Sequence, residues 1–257
     1  MNFKKIFSTL IILGLINFLS YAQDLQEVED NTLITIHAED AFLPSILAIL
    51  AKESGYNIVG VVCPPDKPAG RGHKLQACDV KKYAVSQNLN VLQPKKLKNP
   101  EFLSELQSLK ADLFVVVAFR MLPKEVWSMP QHGTFNIHGS LLPQYRGAAP
   151  INWAVMNGET KTGVTSFFID ENIDTGATLL SKECEIDSNE TVGDVHDKLM
   201  MLGAELATKT CDAIFNDTIE AKTQLESTNL KKAPKLFKNN CKIDWSKSTI
   251  EIHNHIR

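Results

Sequence analysis

The chain has 257 residues, 44% of them hydrophobic, and a formal net charge of -3. That length accommodates one large or two small domains with a proper core, and the charge excludes a protein that holds nucleic acid by its overall field, leaving only a local patch for that task. The five cysteines, Cys63, Cys78, Cys184, Cys211 and Cys241, are odd in number and contain no Cys-x-x-Cys pair, which excludes a disulfide framework and a thiolate zinc site and reads as reduced cytosolic thiols.

Taken in chain order, the first segment contradicts that compartment. Lys4 and Lys5 precede an apolar run from Ile6 to Leu19, and Ser20-Tyr21-Ala22 places small residues before a cleavage point, so residues 1–22 are expected to be a secretory signal peptide. Residues 23–31 are acidic and read as a linker. Thr32 to His37 alternates as a strand, Ala38 to Phe42 is a polar turn, and Leu43 to Glu53 carries Ile46, Leu47 and Leu50 at helical spacing, closed by Ser54-Gly55. Tyr56 to Val62 is the next strand, which completes a β-α-β unit. Pro64 to Leu75 has the proline and glycine content of an exposed loop and carries Lys67, Arg71 and Lys74.

Val80 to Asn88 and Pro100 to Lys110 read as helices on either side of a small strand, Asn90 to Gln93. Asp112 to Ala118 is a continuous apolar run of the kind buried on both faces of a sheet. Thr134 to His138 follows as a strand, then Ala148 to Asn157 as a helix and Thr162 to Ile169 as a strand. The loop Asp170 to Gly176 leads to a strand from Thr178 to Ile186, and Ser188 to Thr191 offers N-cap residues for a long helix through Phe215. The alternation predicts an α/β, doubly wound, mostly parallel Rossmann-like sheet. Residues 216–232 are polar and read as a second linker.

The chemistry concentrates in Thr134 to Pro150. Side chains two apart on a strand share a face, so Asn136 and His138 present an amide and an imidazole together at a strand's C-terminal end, where open α/β sheets place their ligands. That pair suits the holding of a developing oxyanion while protons move. Ser140 lies in His138-Gly139-Ser140-Leu141-Leu142 and lacks the Gly-x-Ser-x-Gly frame of a serine hydrolase. Spacing alone leaves open a hydrogen-bonded core histidine beside a loop shaped by glycine and proline.

Asn136-Ile137-His138-Gly139-Ser140-Leu141-Leu142-Pro143, then Tyr145-Arg146-Gly147-Ala148-Ala149-Pro150, then Ile173-Asp174-Thr175-Gly176 resembles the folate-dependent formyltransferases, and among them the methionyl-tRNA formyltransferase family, from about Gly55 to the end of the chain. The resemblance implies 10-formyltetrahydrofolate as formyl donor without a metal, and initiator methionyl-tRNA as acceptor and partner of a monomeric, cytoplasmic enzyme. It implies Asn136, His138 and Asp174 as the catalytic set, with Asp174 supporting His138 and proton relay, and Ser140, Leu141, Leu142 and Pro143 as the folate-pocket lining. By the same likeness the loop with Lys67, Arg71 and Lys74 meets the tRNA acceptor arm. Asp170 and Glu171 read as solvated loop acids. The catalytic domain is then expected over residues 32–215, and residues 233–257, with Ile243-Asp244-Trp245, as the opening of a truncated C-terminal β-barrel domain.

The family's Gly-Thr-Pro turn is replaced here by His37-Ala38-Glu39-Asp40. Residues 1–59, with Gly55-Tyr56-Asn57-Ile58-Val59 leading into a strand, resemble instead the short N-terminal domain of exported secretins and TonB-dependent receptors. The expectation is a junction near Gly55 to Val59. Two rival functions accompany it: a sugar-nucleotide or purine-precursor formyltransferase sharing the same catalytic set, and a periplasmic interaction module confined to residues 1–59.

Overall fold

The computed structural model describes residues 32–37, 50, 55–69, 74–117, 121–225 and 228–257. The signal-like segment 1–22, the linker 23–31, the turn 38–42, most of the helix 43–53 and Arg71 lie outside the described residues. In chain order the elements are β1 (Thr32–His37), β2 (Asn57–Val62), β3 (Lys67–Ala69), β4 (Lys74–Gln76), α1 (Asp79–Ser86), β5 (Val91–Leu92), α2 (Pro100–Ser108), β6 (Leu113–Val117) and α3 (Lys124–Trp127). They continue with β7 (Thr134–His138), β8 (Arg146–Gly147), α4 (Pro150–Met156), β9 (Lys161–Phe168), β10 (Thr178–Glu185), α5 (Val192–Phe215), β11 (Lys232–Ala233) and α6 (Thr249–Ile256).

Seven strands form one sheet in the order β10-β9-β7-β6-β1-β2-β5. The five strands from β7 to β5 run parallel, while β9 joins β7 and β10 joins β9 antiparallel. All five residues of β6 are buried, and they divide by parity between two cores. Leu113, Val115 and Val117 pack with Leu199, Ala204, Ala207 and Cys211 of α5, while Phe114 and Val116 pack with Phe102 and Leu106 of α2. Helices on both faces therefore explain why β6 reads as an unbroken apolar run.

The two helices flanking β5 stop short of their expected ends. Asn88 (φ 57°) and Lys110 (φ 49°) adopt the left-handed conformation that terminates a helix, so α1 ends at Ser86 and α2 at Ser108. Thr191 caps α5 in a capping box with Asp194. The loop expected over residues 64–75 contains a small hairpin, with Lys67 opposite Gln76 and Ala69 opposite Lys74. Its base is tied down where Asp66 meets Lys81 at 2.7 Å and Gln93 at 2.9 Å.

Residues 216–232, polar enough to read as a free linker, are bonded to the sheet domain. Lys222 and Thr178 exchange both backbone hydrogen bonds at 2.8 Å, and β11 pairs in parallel with β8. Residues 233–257, expected as the opening of a C-terminal barrel domain, supply Ala233 to β11 and form α6, started by a capping box between Ser248 and Glu251. The end of α6 folds back on the domain: Val192 N–H donates to Arg257 O at 2.9 Å, and Arg257 donates to Asp187 O at 3.0 Å and Glu190 O at 2.7 Å.

Candidate active site

A cleft of about 830 Å³ opens at the C-terminal ends of β6 and β7. Asn136, His138 and Asp174 all line it. Period-two geometry on β7 puts the first two on one face, and the loop after β9 brings Asp174 to them across Phe167, which lies opposite Asn136 in the ladder.

His138 is 6% exposed. Its Nε2 lies 2.9 Å from Tyr145 O, and because a carbonyl can only accept, Nε2 carries a proton. Nδ1 is therefore the nitrogen left for chemistry. It faces Asp174 Oδ2 at 3.8 Å, a charge contact too long for a direct hydrogen bond. Phe167 packs edge-on against the imidazole, with centroids 6.4 Å apart.

The Asp174 carboxylate is held from the other side by Gly147, whose N–H donates to Oδ2 at 2.8 Å. Asp174 has φ 55°, a left-handed conformation that an aspartate adopts only where its surroundings enforce it. Asp170 supplies part of that enforcement: it accepts hydrogen bonds from Asn172 N–H at 2.8 Å and Thr175 Oγ1–H at 2.9 Å. It is a loop organiser lining the cleft, not the solvated acid expected. Glu171 is exposed, as expected for a loop acid, and a hydrogen bond from Lys124 at 2.7 Å holds its carboxyl below the usual carboxylate range.

Asn136 Oδ1 is buried with no hydrogen-bond partner. Such an orphan is costly unless a ligand completes it, and rotating the amide offers the same position either an acceptor for an amine N–H or a donor for an oxyanion.

The structure does not bring Ser140, Leu141, Leu142 and Pro143 to this cleft, whose lining stops at Gly139 and resumes at Gly147. Ser140 is fully buried and donates to Gln144 O at 2.6 Å, while Thr165 Oγ1 donates to Ser140 O and accepts from Leu142 N–H. The turn is consumed by its own hydrogen bonds behind the site. Lys67 is exposed on the hairpin and is not part of the cleft lining.

Sequence reasoning missed the strap from Lys222 to Lys235. Its Lys231 O accepts from Tyr145 N–H at 2.7 Å, its Ala233 O accepts from Ala149 N–H at 3.2 Å, and Pro234 and Lys235 line the cleft. Gly147 (φ 131°) permits this approach, since a Cβ there would lie 2.3 Å from Ala233 O. Among the described residues no cluster of three or more His, Cys, Asp or Glu could hold a metal ion, and no helix is long and apolar enough to cross a membrane.

Residues 31–211 match the profile of the formyl transferase family, and the chain belongs to that family. Within it, the methionyl-tRNA formyltransferase of Flavobacterium psychrophilum is 55% identical over 216 residues, covering 84% of this chain and 68% of that enzyme. The methionyl-tRNA formyltransferase of Bacteroides thetaiotaomicron is 54% identical over 208 residues, covering 80% of this chain and 65% of that enzyme. The chain thus spans about two thirds of the length of these relatives. Among solved structures, an N-formyltransferase from Helicobacter canadensis in complex with folinic acid and dTDP-3-aminofucose superposes with a TM-score of 0.67 at 26% identity, covering 87% of this chain and 79% of that one. The family match begins at residue 31 and so includes β1.

Proposed function

We propose that this enzyme transfers the formyl group of 10-formyltetrahydrofolate to the α-amine of initiator methionyl-tRNA. The observation that carries the reading is 55% identity to an enzyme of that name, in a chain whose Asn136, His138 and Asp174 line one cleft. In the reaction the amine nitrogen bonds to the formyl carbon, and the carbonyl oxygen becomes an oxyanion that the Asn136 amide and the His138 imidazole stabilise. His138 Nδ1 relays the amine proton, and Asp174 stabilises the imidazolium while it is charged. The bond from N10 to the formyl carbon then breaks and N10 leaves with the proton, giving formylmethionyl-tRNA and tetrahydrofolate.

The cleft is walled by Met121, Leu122, Ile169 and Ile173, apolar side chains suited to a flat ring system. Lys67, Arg71 and Lys74, close together in sequence, are assigned to the tRNA acceptor arm, where charge positions the partner. The reading makes the enzyme a cytoplasmic monomer, against which residues 1–22 stand with the pattern of an export signal. A sugar-nucleotide substrate is less favoured, because the sugar-modifying relative is 26% identical where the tRNA-modifying one is 55%.

The test is the rate of formyl transfer at saturating substrates in Asn136→Ala and His138→Ala. Each should lose on the order of a hundredfold in kcat with the fold retained. Near-normal turnover in either would remove that residue from the mechanism.

A further inference from the structure

Beyond the three catalytic side chains, the cleft depends on how two separate loops are kept in register. One loop supplies the Gly147 N–H and the other the Asp174 carboxylate, and the 2.8 Å bond between them fixes the carboxylate opposite His138. That bond is a single link between the two loops. Gln224, on the strap, touches both.

Lys222, two residues earlier, is locked to Thr178 by its pair of backbone bonds, so the strap meets the sheet domain at a fixed register. Gln224 is 8% exposed, and its amide is used at both ends. Nε2 donates to Asp174 O at 2.9 Å and to Gly176 O at 2.7 Å, and Oε1 accepts from Arg146 Nε at 3.0 Å. Gly176 packs tightly against the end of β9, where an added Cβ would lie 1.7 Å from Phe168 O.

We infer that Gln224 is a positioning residue for the transfer reaction: it cross-links the 146–147 loop to the 174–176 loop and so sets the Asp174 carboxylate against His138. The task demands two donors and an acceptor in one planar group of this length. Glutamate keeps the shape but loses both donors, and methionine keeps the volume but loses all three bonds. The strained φ of Asp174 is what a clamp of this kind sustains. The inference rests on the proposed role of Asp174.

The experiment uses the full chain, 10-formyltetrahydrofolate and initiator methionyl-tRNA, with Gln224→Glu and Gln224→Met made alone and on top of Asp174→Asn. Each Gln224 variant should lower kcat by roughly tenfold, with KM for both substrates within about twofold of the parent, because a displaced carboxylate costs the chemical step and not binding. In the Asp174→Asn background the further loss should vanish, since Gln224 acts through that carboxylate. An unchanged kcat in both folded single variants overturns the inference, and so does an equal loss with and without Asp174. Should Gln224→Met fail to fold, the near-isosteric Gln224→Glu decides alone. Failure of the functional reading looks different: Asp174→Asn made by itself is then silent.

Discussion

Asn136 sets stability against activity within one side chain. Its buried Oδ1 has no partner, and an unsatisfied buried acceptor costs about 1–3 kcal/mol. Replacing it by a side chain of similar branching without polar atoms, Asn136→Leu, which extends into the open cleft, should hold or raise the thermal midpoint while kcat falls by on the order of a hundredfold. A midpoint that drops with kcat would show that the amide serves the fold. The thiols divide by burial in a similar way. Burial, with Cys78 alongside, pushes Cys63 up to about 12, burial raises Cys211 as well, and Cys241 is exposed. Thiol titration of the native enzyme near pH 8 should therefore label Cys241 first and reach Cys63 and Cys211 only on unfolding. Asn136 and His138 were legible because a strand's period of two fixes which side chains converge. The bond from the Ser140 hydroxyl to Gln144 O was not, because the partner of a turn hydroxyl leaves no pattern in the sequence.

Among the elements, the strap and the loops it holds answer to pH through Glu159. Burial alone would raise its carboxyl, but hydrogen bonds from Lys231 and Tyr145 outweigh burial and hold it below the usual carboxylate range. A carboxylate depressed in the folded state contributes stability above its unfolded pKa, about 4.3, and that contribution is lost as pH falls through the folded value. Glu159→Gln should be less stable than the parent at neutral pH, and the gap between their thermal midpoints should narrow as pH is taken below about 4. A gap independent of pH would mean that the charge of Glu159 contributes nothing. The strands β6 and β7 were predictable because tertiary burial and local pattern agree there. The strap was not. It is bound by backbone groups, by the amides of Gln144 and Gln224 and by the Lys231–Glu159 ion pair, and such bonds leave no periodicity in a polar stretch.

At the scale of the whole molecule, a net charge of -3 means that an RNA partner must be gathered by a local set of cations. The segment from Pro64 to Leu75 carries three in sequence, Lys67, Arg71 and Lys74. Arg71→Ala and Lys67→Ala should raise KM for methionyl-tRNA several-fold, leave KM for the folate unchanged and reduce the salt dependence of the tRNA term by about one phosphate contact each. A change confined to the folate would remove the hairpin from tRNA recognition. The doubly wound sheet was legible from the order of its segments. The helix α6 was not, although Ser248 and Glu251 form the capping box that starts it.

Gln224 follows Gly176, the loop residue it clamps, by 48 positions, and this gives the site a place in time as well as in space. A ribosome adding about 5–20 residues per second delivers the clamp some 2–10 s after the loops. During that interval the nascent chain carries Asn136, His138 and Asp174 but not the Gln224 amide that bonds to both of the flanking loops. A chain stalled after α5 therefore carries the three side chains without the strap, and lacks Pro234 and Lys235 of the cleft wall as well.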